Sequence, residues 1–394
     1  MRFLIPIIIV FLTVSCGQTL VPLVLQKDVD SLVHKWVPDA REGICDLSLS
    51  MLSGGKILIK GETNIPEARQ EIINYIVKSG YKLSDSLMII PNATKITKTW
   101  GLVSISVSNI KKNPSHSSEL VSQAILGTPV KILKKKGGWL LVQTPDYYIG
   151  WVNNSGIAEL DQQEIIKWKQ SERVIYLKNC GNIYSELHDN EIISDIVLGS
   201  VVEKTGEDGK YTHIILPDGR KGLVTKPDVK NFIEWSSGIY PEASNLVNIS
   251  KTLLGSPYLW GGTSTKAVDC SGFVKTIYFI NGIILARDAS LQFLHGLPVD
   301  FSTSFVTLKT GDLIFFGSIN NGKKRITHVG MYIGNTEVIN SSGMVRINSL
   351  DSTRANYSEY LKAGMMGVRR IIGTESEKGL ERINSRKSWY LMKD

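Results

Sequence analysis

The sequence predicts a multidomain α+β protein, and three observations lead there. Segments with helical spacing stand apart from long stretches of short strands, and one strand–turn–strand run occurs twice. The last third opens with helices and closes with strands. At 394 residues the chain exceeds one ordinary core, so two to four domains are expected. Hydrophobic residues make up 42% and charged residues 21%, which is globular rather than disordered composition. The 45 Lys and Arg outnumber the 37 Asp and Glu, but the excess is scattered and favours an anionic environment only weakly. No Arg-rich arm or aromatic RNA-binding signature occurs, so nucleic acid is not an expected partner.

The amino terminus, residues 1–18, reads as a signal segment. Arg2 precedes the apolar run Phe3 to Val14, which has the length of a signal-peptide core and is short for a bilayer span. The following "TVSCGQ" resembles a bacterial lipobox in which Cys16 is acylated and becomes the first mature residue, although Thr13 stands where Leu is usual. The other reading is a plain secretory signal with an incidental cysteine. The lipoprotein reading implies a cell-envelope protein anchored by lipid and facing the periplasm; a monomer is expected. It leaves Cys45, Cys180 and Cys270, an odd number, so at least one is free or pairs outside the chain. Whether Cys45 and Cys180 join stays open. No CxxC or HExxH occurs and the six histidines are dispersed, so no metal or cofactor is implied.

Residues 19–95 form a small α+β unit: "KILIKGE" alternates as a strand, and "IPEARQEIINYIVKSG" is a helix with Pro66 near its start and Gly80 at its end. It carries no recognisable chemistry. Residues 96–158 are short strands parted by Pro, Gly and Asn, and "GTPVKILKKKGGWLLVQTPDYYIGWV" resembles a bacterial SH3 domain. "DQQEIIKWKQ", within 159–171, is an amphipathic helical linker. In 172–235, "LGSVVEKTGEDGKYTHIILPDGRKGLV" parallels the first SH3-like run, which indicates a duplication. The Lys134 to Lys136 run is then a solvated hairpin turn. Residues 236–374 begin with helix-like "PEASNLVNISKTLLG" and continue into strand-like "GDLIFFG", "ITHVGMYIG" and "EVINSSG". Residues 375–394 are polar and basic with little periodicity, and read as a surface tail or short helix.

The stretch "AVDCSGFVKTIY" places Cys270 between Asp269 and Ser271, both good helix-start residues, and Phe273, Val274, Ile277 and Tyr278 follow at helical spacing. A helix amino terminus favours a thiolate and offers backbone N–H groups to an oxyanion. A nucleophilic thiol needs a base, and the base needs an orienting group. His328 lies on a strand with Val329, Met331 and Ile333, and Gly334-Asn335 marks the turn into the returning strand. Asn340 falls nearly opposite His328, close enough to fix the imidazole tautomer. "GGTSTK" fails as a phosphate loop because Thr265 precedes the Lys, and no GxSxG elbow is present.

"PYLWGGTSTKAVDCSGF", "LKTGDLIFFG", "ITHVGMYIGN" and "VINSSG" together resemble the NlpC-type papain-like cysteine peptidases of bacterial cell walls, over about 240–374. The resemblance implies Cys270 as nucleophile, His328 as general base and Asn340 as orienting residue, at a position often held by His. Tyr258 matches the family tyrosine near the oxyanion. "RDAS" and "SHSSEL" further resemble the dipeptidyl-peptidase VI branch, whose SH3 domain closes one end of the cleft. That implies Glu119 and Asp288 holding the α-ammonium of a free N-terminal L-Ala. Tyr148, or Tyr147 in its place, would wall the pocket. Asp269, Ser271, Arg287 and Ser290 would contact the D-glutamate and its neighbouring backbone. The implied reaction is cleavage of the γ-D-glutamyl–L-diamino acid bond of peptidoglycan stem peptides. An endopeptidase of intact cross-linked wall and a wall-binding protein with a weak catalytic domain are the alternatives. An activated Cys270 is expected to be alkylated near neutral pH faster than Cys45 or Cys180.

Overall fold

A computed structural model describes residues 20–392 apart from 95, 189, 302–304, 376–378 and 386–388. Cys16 and the signal segment therefore lie outside the described residues. The chain divides into two compact units, 1–90 and 91–394.

In the first unit a helix, Leu23–Trp36, precedes a three-stranded sheet of Cys45–Leu52, Lys56–Thr63 and Leu83–Ile89. The last two strands run parallel because the helix Pro66–Lys78 carries the chain across between them. Pro66 takes the first helical turn, where no N–H is needed. Val29, Ile57, Ile59, Ile72 and Ile76 are completely buried and form its core.

The second unit contains two seven-stranded antiparallel sheets and a six-stranded one. The first seven-stranded sheet spans Trp100 to Leu160 and includes β1 (Leu120–Ile125), β2 (Trp139–Gln143) and β3 (Ile149–Asn153). The other spans Arg173 to Asn231 and reproduces the same spatial order of strands, as a duplicated chain would. Between them the linker Gln162–Gln170 is helical, with Asp161 and Glu164 forming a reciprocal capping box and Ile165 and Trp168 buried.

The third part is built on α1 (Cys270–Ile280), followed by β4 (Ile283–Leu285). Nearly every residue of α1 is buried, against Phe315, Val329, Met331 and Ile339 of the sheet. That sheet comprises β5 (Leu297–Val299), β6 (Leu313–Asn320), β7 (Lys323–Gly334), β8 (Glu337–Ser342), β9 (Met344–Ser349) and β10 (Met365–Arg370). Their order is β5-β10-β6-β7-β8-β9, antiparallel throughout.

The expected surface tail is corrected by the structure. Residues Leu380–Arg382 form β11, which pairs with β4, and Leu380, Ile383, Trp389 and Tyr390 are buried. Tyr390 packs against Phe232 and Phe279 at 5.8 and 5.9 Å between ring centroids, and Trp389 meets Trp100 at 5.5 Å. Arg173, fully buried, donates to the Tyr390 carbonyl at 2.8 Å while its guanidinium stacks on Trp168 and Phe232. The carboxyl-terminal stretch thus joins both seven-stranded sheets to α1.

Candidate active site

Asp269 begins the site. It caps α1 by accepting the Gly272 N–H at 2.7 Å, and it accepts the Gly261 N–H at 3.0 Å. Gly272 is required where it stands, since a Cβ there would lie 1.9 Å from the Gly262 carbonyl oxygen. α1 is therefore seated against the 257–262 loop with Cys270 as its first residue. Cys270 is buried, and burial, reinforced by Asp269, pushes its thiol up to about 11. The backbone N–H groups of Val329 and Ser271 pull the other way, and Val329 brings β7 to the sulfur. The helix-start argument for a resting thiolate is thus outweighed by desolvation: the resting group is the thiol.

His328, next to Val329 on β7, is buried with its ring against Phe316. Burial lowers its basicity below the ordinary histidine range, so it is neutral at pH 7. Its Nε2 meets Asn340 Oδ1 at 3.1 Å. Asn340 Nδ2 donates to Asn348 Oδ1 at 3.1 Å, which turns the amide oxygen towards the imidazole. Nε2 must then carry the proton, leaving Nδ1 as the base. Met331 pairs with Ile339, so the register runs Asn340 opposite Gly330, one diagonal step from His328. A Cβ on residue 330 would stand 3.0 Å from that of Asn340, so the glycine leaves room for the pair.

Arg287 lies inside the site, behind Asp269 and Ser271. It is 1% exposed, and its guanidinium donates to both Asp269 oxygens at 3.1 and 2.6 Å, to Ser271 Oγ at 2.9 Å and to Ser122 Oγ on β1 at 3.1 Å. It acts through Asp269 and Ser271, which it fixes. Ser290 is half-buried on the short helix Ala289–Gln292 that Asp288 begins. Tyr148 is buried and its hydroxyl donates to Asp288 at 3.3 Å, whereas the Tyr147 hydroxyl turns away to Glu381 at 2.9 Å. Tyr148 is therefore the tyrosine on the Asp288 side. Tyr258 is half-buried, and its phenol is pushed up to about 12 by burial and then by Cys270 and Asp269 beside it. Glu119 is exposed, accepts the Trp260 Nε1–H at 3.0 Å and lies 3.6 Å from Lys112 Nζ.

Several contributors were not legible in the sequence. Gln123 on β1 accepts the Thr263 N–H at 3.0 Å and the Ser264 hydroxyl at 3.2 Å, locking the first seven-stranded sheet onto the loop before Cys270. Gln292 donates to the Ser271 carbonyl at 3.1 Å. Trp260 and Asn348 complete the set. Cys45, Cys180 and Cys270 are all free thiols, and Cys180 is exposed.

Residues 255–370 match the NlpC/P60 family, and residues 110–157 match the bacterial dipeptidyl-peptidase Sh3 domain. A protein from Bacillus cereus named γ-D-glutamyl-L-lysine dipeptidyl-peptidase is 31% identical over 260 residues, covering 64% of this chain and 76% of the relative. This chain belongs to the NlpC/P60 family. Dipeptidyl-peptidase 6 of Lysinibacillus sphaericus is 27% identical over 273 residues, 66% of this chain and 96% of its own. A crystal structure of an NlpC/P60 family protein from Bacillus cereus superposes with a TM-score of 0.61 at 26% identity, over 69% of this chain and 99% of that one.

Proposed function

We propose that the protein is a cysteine peptidase that cleaves the γ-D-glutamyl–L-diamino acid bond of peptidoglycan stem peptides bearing a free N-terminal L-Ala. The products are L-Ala-γ-D-Glu and the remaining peptide. The observation that carries the proposal is a neutral His328–Asn340 pair on the strand whose next N–H reaches a buried helix-start thiol. The similarity to proteins named dipeptidyl-peptidases supports it.

In the mechanism, His328 Nδ1 takes the Cys270 proton as sulfur attacks the γ-carbonyl carbon, so neither partner need be charged beforehand. Asn340 holds the imidazolium through Nε2–H. The oxyanion forms beside the backbone N–H groups at the start of α1 and the Tyr258 phenol. His328 returns the proton to the leaving amine, the C–N bond breaks, and water then hydrolyses the thioester with His328 again as base. Glu119, Asp288 and Tyr148 form the end of the cleft where the L-Ala ammonium sits. Arg287 holds Asp269 and Ser271 against the D-glutamate.

The test is incubation with L-Ala-γ-D-Glu-L-Lys and its diaminopimelate analogue, with mass spectrometry of the products. Release of L-Ala-γ-D-Glu, absent with Cys270→Ala, is expected; cleavage of cross-linked wall alone would favour an endopeptidase. No cleavage by folded protein would point to a binding module. The proposal places the monomer on the periplasmic face of a membrane through Cys16. Incorporation of labelled palmitate, lost in Cys16→Ser, is the expected result, and a signal-cleaved soluble product would contradict it.

A further inference from the structure

Tyr147 has φ 65°, a left-handed conformation on a bulky residue. Such a conformation is costly for a residue with an aromatic side chain and persists only where its surroundings impose it. The β2–β3 turn that contains it is buried rather than solvated: Thr144 is 3% and Asp146 1% exposed. Two different elements hold the turn. From α1, Lys275 pairs with Asp146 at 3.2 Å. From the carboxyl-terminal stretch, Glu381 on β11 accepts the Tyr147 hydroxyl at 2.9 Å, and Trp389 meets the Tyr147 ring edge-on at 6.3 Å. Glu381 is itself buried, at 6% exposed.

At this turn the two consecutive tyrosines go to different partners. Tyr147 goes to the carboxyl-terminal stretch, and Tyr148 goes to Asp288 at 3.3 Å. The Tyr148 carbonyl accepts the Thr144 N–H at 3.0 Å and its hydroxyl at 3.1 Å, and the Tyr147 N–H donates to the Thr144 carbonyl at 2.8 Å, so both tyrosines hang from one hydrogen-bonded turn.

We infer that the carboxyl-terminal strap, through Glu381 and Trp389, is a positioning element for the ammonium-binding end of the cleft: it clamps Tyr147 and thereby aims Tyr148 at Asp288. The inference rests on the reading of Glu119, Asp288 and Tyr148 as the amine pocket. Glu381 touches no substrate; it is a positioning residue that selects peptides with a free amino terminus.

The experiment measures calorimetric Kd values in a Cys270→Ala background for L-Ala-γ-D-Glu-L-Lys and its N-acetyl form. Tyr147→Phe keeps the ring on Trp389 and removes one buried hydrogen bond. It should weaken the free-amine peptide about three- to tenfold, as should Glu381→Ala. Glu381→Gln keeps a carbonyl acceptor and should stay within about twofold of the parent. The acetylated peptide's weaker binding should not change in any variant. Parent-like affinity in Tyr147→Phe and Glu381→Ala would overturn the inference. So would equal weakening for both peptides with no rescue by Gln, which would make the strap merely structural. Equal binding of both peptides by the parent has a different signature: it would remove the amine pocket itself, and the strap's part in it.

Discussion

Replacing Arg287 tests whether the site is assembled around the buried Arg287–Asp269 pair. Arg287 is 1% and Asp269 6% exposed, and they share hydrogen bonds of 2.6 and 3.1 Å, with further bonds to Ser271 and Ser122. Arg287→Met fills similar volume but leaves the Asp269 carboxylate desolvated without its cation. Removing one partner of such a pair costs about 3–5 kcal/mol. Asp269 keeps the Gly261 and Gly272 N–H groups, so the lower end of that range, about 3 kcal/mol, is expected. Arg287→Lys retains charge but not the two-pronged geometry and should lose about half as much, roughly 1.5 kcal/mol. Urea unfolding followed by tryptophan fluorescence reads the 91–394 unit, which holds seven of the eight tryptophans. Asp269→Asn with Arg287→Met should be less damaging than Arg287→Met alone, because no uncompensated charge remains. A cost below about 1 kcal/mol for Arg287→Met, or a double variant at least as damaging as Arg287→Met alone, would refute the reasoning.

Other expectations follow from the same geometry. Burial favours the Cys270 thiol, so iodoacetamide should label exposed Cys180 before Cys270 at pH 7, with Cys270 labelling rising towards pH 11. Because the folded pKa is raised, the contribution of Cys270 to stability is intact below the unfolded thiol value and falls as pH climbs towards about 11. His328 is shifted the other way, so the acid limb of kcat/KM should lie below the ordinary value of 6.5, and a limb above it would contradict a buried neutral base. Asn348→Ala should lower kcat about three- to tenfold by freeing the Asn340 amide, with recovery in Asn348→Asp, which keeps the acceptor. Gly330→Ala places a Cβ 2.5 Å from Val338 Cγ1 and 3.0 Å from Asn340 Cβ, and should cost about 1–3 kcal/mol and reduce kcat.

What the sequence made legible was local. Asp269 as cap, Cys270 as the first residue of α1 and the His328–Asn340 hairpin pair each depend on residues within a dozen positions, where spacing determines geometry. The duplicated sheets were visible because the repeat preserved the order of apolar runs and glycines. The bonds of Arg287 to Asp269 and Ser122 were not legible because those partners lie 18 and 165 residues away, Ser122 on the first seven-stranded sheet. The strap reads as a surface tail because Leu380, Ile383, Trp389 and Tyr390 follow no helical or strand period among charged neighbours, yet each is buried by contacts from distant elements. Desolvation of Cys270 was equally invisible, since the helix-start argument counts nearby N–H groups but not the sheet that covers the sulfur.

The most direct test of the account is the ratio of kcat/KM for L-Ala-γ-D-Glu-L-Lys with a free amino terminus to that of its N-acetyl form. An amine held by Glu119 and Asp288 in a closed end of the cleft predicts a ratio of about 100 or more, the loss of a charge-assisted contact together with a steric block. A ratio near one would contradict it and leave an open-cleft peptidase.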